Sequence, residues 1–343
     1  MNLLNLSFEE MEAFLSGLGE PRYRTGQVWQ WLWQKGCQNF RDMTNTPKEL
    51  REKLEESAEI SRPLVQTVRK SQDGTIKFLL GLSDGALVET VLIPEKDRVT
   101  QCLSCQVGCA MGCTFCATGQ MGFARNMVQS EILGQILVAK DYLKEQGKAK
   151  ALKNLVFMGM GEPLLNLKEL MRGLTALAHE KGLNFSPRRV TVSTVGVIKG
   201  LEALGQSGLA RLAVSLHAPT QSLRKQIMPR AAEVPLDELM AALDRYPLKP
   251  RQRITFEYLL LGGVNDGPGH AKGLAKLLAG KKAKVNLIPF HASEGLPYKA
   301  SDPDTVLAFE KILWDKGLTA VLRKSKGLDI AAACGQLKAA LTA

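Results

Sequence analysis

Residues 154–196, NLVFMGMGEPLLNLKELMRGLTALAHEKGLNFSPRRVTVSTVG, contain one full unit of the pattern that organises most of the chain. NLVF and RRVTVST are short apolar runs of strand type. Between them, LKELMRGLTALAHEKG repeats its apolar positions every three to four residues, the period of a helix with one buried face. A strand, a helix and another strand in this order make a parallel pair, because parallel neighbours need a long crossover.

The alternation continues on both sides. LARLAVSLHA, RITFEYLLLGG, AKVNLIPF and LTAVLRKS read as further strands, and SEILGQILVAKDYLKEQ, LDELMAALDRY and HAKGLAKLLAG as further amphipathic helices. From residue 98 to 343 the chain is therefore expected to be α/β, with about six βα units forming a partial (βα)6 barrel. In such folds chemistry gathers at the C-terminal ends of the strands. Residues 1–60, with FEEMEAFL, QVWQWLWQK and PKELREKLEES, read as a small helical domain. Residues 61–97 read as a β-hairpin connection, since TIKFLLGLSDGALVETVLIP has two apolar runs around the turn signal SDG, and Glu89 lies in the second.

The chain has 343 residues, 45% apolar and 23% charged, as expected of a folded protein and not a disordered one. No stretch approaches about 18 uninterrupted apolar residues, so no membrane span is expected. The N-terminal MNLLNLSFEEMEAF has no basic segment ahead of its apolar residues, so no secretory leader is expected and the cytoplasm is the expected compartment. Lys and Arg outnumber Asp and Glu by 45 to 34, a net charge of +11 that suits a polyanionic partner such as nucleic acid. The excess recurs as PRYR at 21–24, PRR at 187–189, KPRQR at 249–253, KKAK at 281–284 and RKSK at 323–326. Any one of these reads as a solvated face; their sum points to a polyanion. A monomer is the default expectation.

Five of the seven cysteines crowd into QCLSCQVGCAMGCTFCATG at 101–119, which is no spacing for a disulfide framework. Only Cys109, Cys113 and Cys116 satisfy Cys-x3-Cys-x2-Cys. Three thiolates leave one iron of a 4Fe-4S cluster without a protein ligand, and that open position can chelate the amino and carboxylate groups of S-adenosylmethionine. The other metal reading is zinc held by Cys102, Cys105, Cys113 and Cys116, although the seven residues between those pairs are fewer than the about 15 to 20 of zinc ribbons. That alternative would make the chain a zinc-bearing, non-catalytic RNA-binding protein. GMGEP at 159–163 follows a strand; Gly161 lets the backbone approach a ligand and Glu162 can bind an ammonium group. Phe115 offers an aromatic face or a core side chain.

These segments resemble a known family: the radical S-adenosylmethionine enzymes that methylate an adenine carbon in ribosomal and transfer RNA. The similarity spans nearly the whole chain and rests on VETVLIP, QVGCAMGCTFCATGQMGF, FMGMGEPLLN, VTVSTVG, SLHAP, VNLIPF and RKSKGLDIAAACGQL. It implies that Cys334 carries a methyl group and that Cys102 is its partner in a transient disulfide. It implies that Glu89 is the proton acceptor, and that Gly161, Glu162, Ser193, Ser215, Leu216, His217 and the position of His291 form the cofactor pocket. It further implies one 4Fe-4S cluster, two S-adenosylmethionine molecules per turnover, 23S ribosomal RNA and tRNA as substrates, and a reductant such as flavodoxin or ferredoxin. Adenine carbon 2 is the expected site, with the carbon-8 methyltransferases of antibiotic resistance as the alternative within the family. Two residues depart from the pattern: Cys105 stands where the family has Ser, and His291 where it has Asn, with Asn286 as a possible substitute contact.

Overall fold

In the computed structural model, residues 1–292 and 295–339 are described; the last four positions of the expected 98–343 region lie outside them. The strands are β1 (Leu64–Lys70), β2 (Ile76–Gly81), β3 (Leu87–Glu95), β4 (Arg98–Cys102), β5 (Gln106–Gly108), β6 (Phe123–Asn126), β7 (Leu152–Phe157), β8 (Val190–Thr194), β9 (Arg211–Ser215), β10 (Ile254–Leu260), β11 (Ala283–Pro289) and β12 (Ala320–Leu322). Ten form one sheet in the order β1-β2-β3-β4-β7-β8-β9-β10-β11-β12, and β5 pairs with β6 separately. From β1 to β4 the pairing is antiparallel; from β4 through β12 every pair is parallel.

The α/β class read from the sequence is the one the chain adopts, as an open, mainly parallel sheet with β1 and β12 at its edges. Strands covered on both faces read as near-continuous apolar runs, and all seven residues of β10, Thr255 and Glu257 among them, are buried. Two strands of this sheet were not legible in advance, and neither was the short β5–β6 pair. All seven residues of β1 are exposed, so LVQTVRK has no buried face to betray it. β4 is the short segment RVTQC, which leads straight into the cysteine loop.

The helical segment before the sheet contains Phe8–Gly17, Tyr23–Gln30 and Lys48–Ser57. Ser7 and Glu10 close a reciprocal N-terminal cap on the first of these, with the Glu10 amide donating to Ser7 Oγ and the Ser7 amide to Glu10 Oε2. Met11, Leu15, Trp29 and Trp33 form its buried centre. It packs on the sheet's helices through Gln129 Nε2, which donates to the Leu4 carbonyl at 2.8 Å, through an Arg172–Glu10 ion pair, and through Phe8 stacked on His179 at 4.4 Å.

Candidate active site

The C-terminal ends of the parallel strands surround a cavity of about 880 Å³, part of it open to solvent. Its wall includes Cys109, Cys113, Cys116, Gly161, Glu162, Ser193, Ser215, His217 and Cys334. The cavity thus brings together nine of the thirteen expected site residues. Cys102, Glu89, Leu216 and His291 are placed differently.

The cysteine loop is held by its backbone. The Cys109 amide donates to the Gly122 carbonyl, the Cys116 amide to the Cys113 carbonyl, and the Thr114 amide to the Ile227 carbonyl at 3.0 Å. Gly108 makes the close approach possible: its φ is +74°, and a Cβ there would lie 2.0 Å from the Gly122 carbonyl oxygen. All the described cysteines are free thiols. Burial raises the Cys109 thiol to about 11 and the Cys113 thiol well above its ordinary value, a penalty that coordination by a cation would offset. Among the described residues, no three His, Cys, Asp or Glu converge on a point to ligate a single metal ion. The four-cysteine zinc grouping is therefore not assembled. An iron–sulfur cluster makes no such demand, since each thiolate binds a different iron.

Across from the loop, Gly161 has a φ of +99°, and a Cβ there would meet Gln106 Cβ at 2.5 Å and its backbone nitrogen at 2.9 Å. Gly161→Ala combines left-handed strain with a clash against backbone. It is expected to destabilise the protein by about 3 kcal/mol or more, measured by denaturant unfolding of the metal-free chain.

Glu162 is buried and accepts hydrogen bonds from the Leu164 amide at 3.0 Å and the Val195 amide at 2.9 Å. Those bonds aim the carboxylate and use only part of its acceptor capacity, while burial raises its pKa. Ser193 and Ser215 place their hydroxyls 3.4 Å apart on adjacent strands. His217, at φ +54°, accepts the Leu259 amide on Nδ1 at 3.0 Å and meets the Phe115 ring edge-on at 5.0 Å. Burial drives its pKa down to about 3, so the imidazole is neutral, and with Nδ1 accepting from Leu259 its proton lies on Nε2. Leu216, by contrast, is fully buried away from the cavity wall, and its amide donates to the Glu257 carbonyl at 3.1 Å.

Cys334 reaches the cavity on a C-terminal segment with little regular structure. The Ala117 amide donates to the Gly335 carbonyl at 2.7 Å, Thr118 Oγ1 to the Leu337 carbonyl, and Lys77 Nζ to the Ala331 carbonyl. The residue is exposed at the cavity wall, yet the surrounding protein and the nearby Glu257 charge raise its thiol to about 11, with Arg323 opposing. Cys102, at the end of β4, is buried; burial and the neighbouring Cys334 both raise its thiol. Glu89 lies behind this segment and not on the cavity wall. Its Oε2 accepts the Lys338 amide at 2.9 Å and its Oε1 pairs with the buried Lys77 at 2.9 Å. His291 also holds the segment, with Nε2 2.7 Å from Ser325 Oγ. Asn286 Nδ2 donates to Glu257 at 2.8 Å.

Glu257 was not singled out from the sequence. It lines the cavity from the middle of β10, buried, facing Ser215 on one neighbouring strand and Asn286 on the other. The available signal was a carboxylate inside the apolar run ITFEYLL. Burial raises its pKa to about 7, against the Asn286 hydrogen bond. A carboxyl raised in the fold binds more protons folded than unfolded between its two values, so stability falls as pH rises from about 4.5 to about 7. Glu257→Gln keeps an acceptor for Asn286 and is expected to stabilise the metal-free protein by about 2 kcal/mol at pH 8 and by nothing at pH 4.5. Thermal melts at the two pH values check this.

A parallel α/β sheet with a three-cysteine loop at its C-terminal edge and an adjoining cavity is the arrangement of a radical S-adenosylmethionine enzyme, and residues 103–271 match the Radical SAM superfamily. Residues 1–60 match the Ribosomal RNA large subunit methyltransferase N-terminal domain. The chain is 62% identical to the Dual-specificity RNA methyltransferase RlmN of Nitratidesulfovibrio vulgaris (strain Miyazaki F), over 99% of this chain and 94% of that protein. It is 47% identical to the protein of that name in Geobacter sulfurreducens, over 100% and 93%. A solved radical SAM methyltransferase from Sphaerobacter thermophilus superposes with a TM-score of 0.94 at 42% identity, covering 99% of this chain and 100% of that one. The chain belongs to the RlmN family of dual-specificity RNA methyltransferases, enzymes that use S-adenosylmethionine and an iron–sulfur cluster.

Proposed function

We propose that the protein methylates carbon 2 of an adenine in 23S ribosomal RNA and in tRNA, through a methylated Cys334 and a transient Cys102–Cys334 disulfide. The observation that carries this reading is the position of Cys334, on the wall of the cavity that holds Cys109, Cys113 and Cys116, with Cys102 as a close neighbour. Cys109, Cys113 and Cys116 hold one 4Fe-4S cluster. Gly161, Glu162, Ser193, Ser215, Leu216 and His217 form the pocket for S-adenosylmethionine, with Leu216 acting through its backbone and His291 through the segment it anchors. When bound, the cluster and two molecules of S-adenosylmethionine supply a transferable methyl group and a hydrogen-abstracting 5'-deoxyadenosyl radical.

The chain's own residues do the rest. The Cys334 thiol gives up its proton and its sulfur accepts the methyl group. After hydrogen abstraction, the methylene on that sulfur bonds to the adenine carbon, an electron-poor position closed to ordinary displacement. Glu89 takes up the ring proton as the Cys334 segment moves with its adduct, and the adduct gives up its unpaired electron, which the cluster would accept when bound. Cys102 then attacks the Cys334 sulfur and its thiol proton passes to the departing carbon, which frees the methylated RNA and leaves the disulfide for an external reductant, with flavodoxin or ferredoxin as electron donor to the cluster.

Residues 1–60 serve as an RNA-binding domain together with the basic bursts, residues 61–97 form the connection carrying Glu89, and residues 98–343 hold the chemistry. The target base leaves its stack to enter the cavity. The protein works as a cytoplasmic monomer; no helix among the described residues is long and apolar enough to cross a membrane. Anaerobic reaction with RNA fragments, followed by mass spectrometry of the mapped nucleotide against 2-methyl- and 8-methyladenosine standards, tests the reading. A product of 8-methyladenosine would overturn it.

A further inference from the structure

Arg224 is fully buried, on the helix Gln221–Ile227 behind the cysteine loop. Its Nη1 donates to the Val234 carbonyl at 3.0 Å and its Nη2 to the Val195 carbonyl at 2.8 Å, while Nε has no partner. No carboxylate pairs with it among the described residues. A buried charge normally needs a partner of opposite sign, and removing a guanidinium from water without one is costly. Two carbonyls do not explain the charge, since a neutral amide could donate to both.

The helix shows where the partner lies. Its last residue, Ile227, accepts hydrogen bonds from the Thr114 amide at 3.0 Å and from Thr114 Oγ1 at 3.2 Å, which locks it to the loop between Cys113 and Cys116. Ile227 and Met228 pack in one apolar cluster with Cys113, and Met228 lines the cavity beside it. Arg224 sits one turn back and donates to Val195, whose amide in turn donates to Glu162 on the cavity wall. Burial lowers the guanidinium to about 10, and the neighbour that favours its charged form is Cys113.

We propose that Arg224 is a positioning residue for the iron–sulfur centre, a buried counter-charge that raises the reduction potential of the cluster held by Cys109, Cys113 and Cys116. The three thiolates leave an iron–sulfur cluster with net negative charge, and reduction adds one more. A fixed positive charge nearby therefore favours the reduced form. This inference rests on the cluster reading above.

The test is a redox titration, followed by electron paramagnetic resonance, of the reconstituted full-length protein without S-adenosylmethionine, in wild type, Arg224→Gln and Arg224→Lys. At a fixed potential the reduced-to-oxidised ratio is expected to fall about tenfold in Arg224→Gln, equivalent to a midpoint about 59 mV lower. Arg224→Lys should stay within about twofold of wild type. Gln titrating with wild type at full iron content would overturn the proposal, and so would equal shifts in Gln and Lys, which would mark a hydrogen-bonding role. If Gln does not retain iron, the Lys variant is titrated across pH. Its potential should drop as the buried ammonium loses its proton, and a pH-independent potential would overturn the proposal. A wild-type protein that takes up no iron and sulfide would instead end the cluster reading itself.

Discussion

Cys334→Ala is expected to abolish RNA methylation, by about a thousandfold or more, while the protein still takes up its full iron and sulfide. Cys334 shares the cavity wall with the three loop cysteines, but its segment reaches that wall by separate anchors: Gly335 and Leu337 on the loop side, Ala331 on Lys77, and Lys338 on Glu89. Those contacts involve backbone atoms of its neighbours, so truncating the thiol leaves the segment docked. Iron analysis and quantification of methylated RNA after anaerobic turnover separate the two roles. Surviving turnover would mean that the methyl group does not pass through this thiol.

Cys113→Ala is expected to remove the cluster, so that visible absorbance, iron content and all turnover are lost together. Cys113 is the most buried of the three loop thiols and contributes to the apolar cluster formed with Phe115, Ala218, Ile227 and Met228. Two remaining thiolates cannot reproduce a site that leaves one iron open and holds the other three. The metal-free variant should melt close to metal-free wild type, because Ala fits the space of the thiol. Iron retained at wild-type level would show that Cys113 is not a ligand.

Much of this architecture was legible because parallel sheets write themselves as apolar runs alternating with amphipathic helices. The loop cysteines were legible because their spacing is local. What stayed hidden depends on contacts between distant parts of the chain. Periodicity indicates that β10 is buried, but not that Glu257 would face a cavity between Ser215 and Asn286. It shows neither the short helix Gln221–Ile227 that carries Arg224 nor that this helix ends against Thr114. The same blindness explains the residues displaced from their expected setting. Glu89 is engaged by Lys77 and Lys338, His291 faces Ser325, and Leu216 turns inward. Lys338 and Ser325 lie more than thirty residues from their partners, Lys77 sits on the strand paired with that of Glu89, and Leu216 takes the opposite side of its strand end.

The docking of the C-terminal segment also sets a schedule. The ten-stranded sheet joins strands in chain order, so it can assemble progressively as the polypeptide is made. Cys334, by contrast, is held by partners at Lys77, Glu89, Ala117 and Thr118, all made long before it. On the proposed mechanism, a nascent chain can therefore complete the cysteine loop and the rest of the cavity wall while it still lacks the acceptor thiol. On that mechanism, a chain cut short before Cys334 would keep the parallel sheet and the cysteine loop and have no route to methylated RNA.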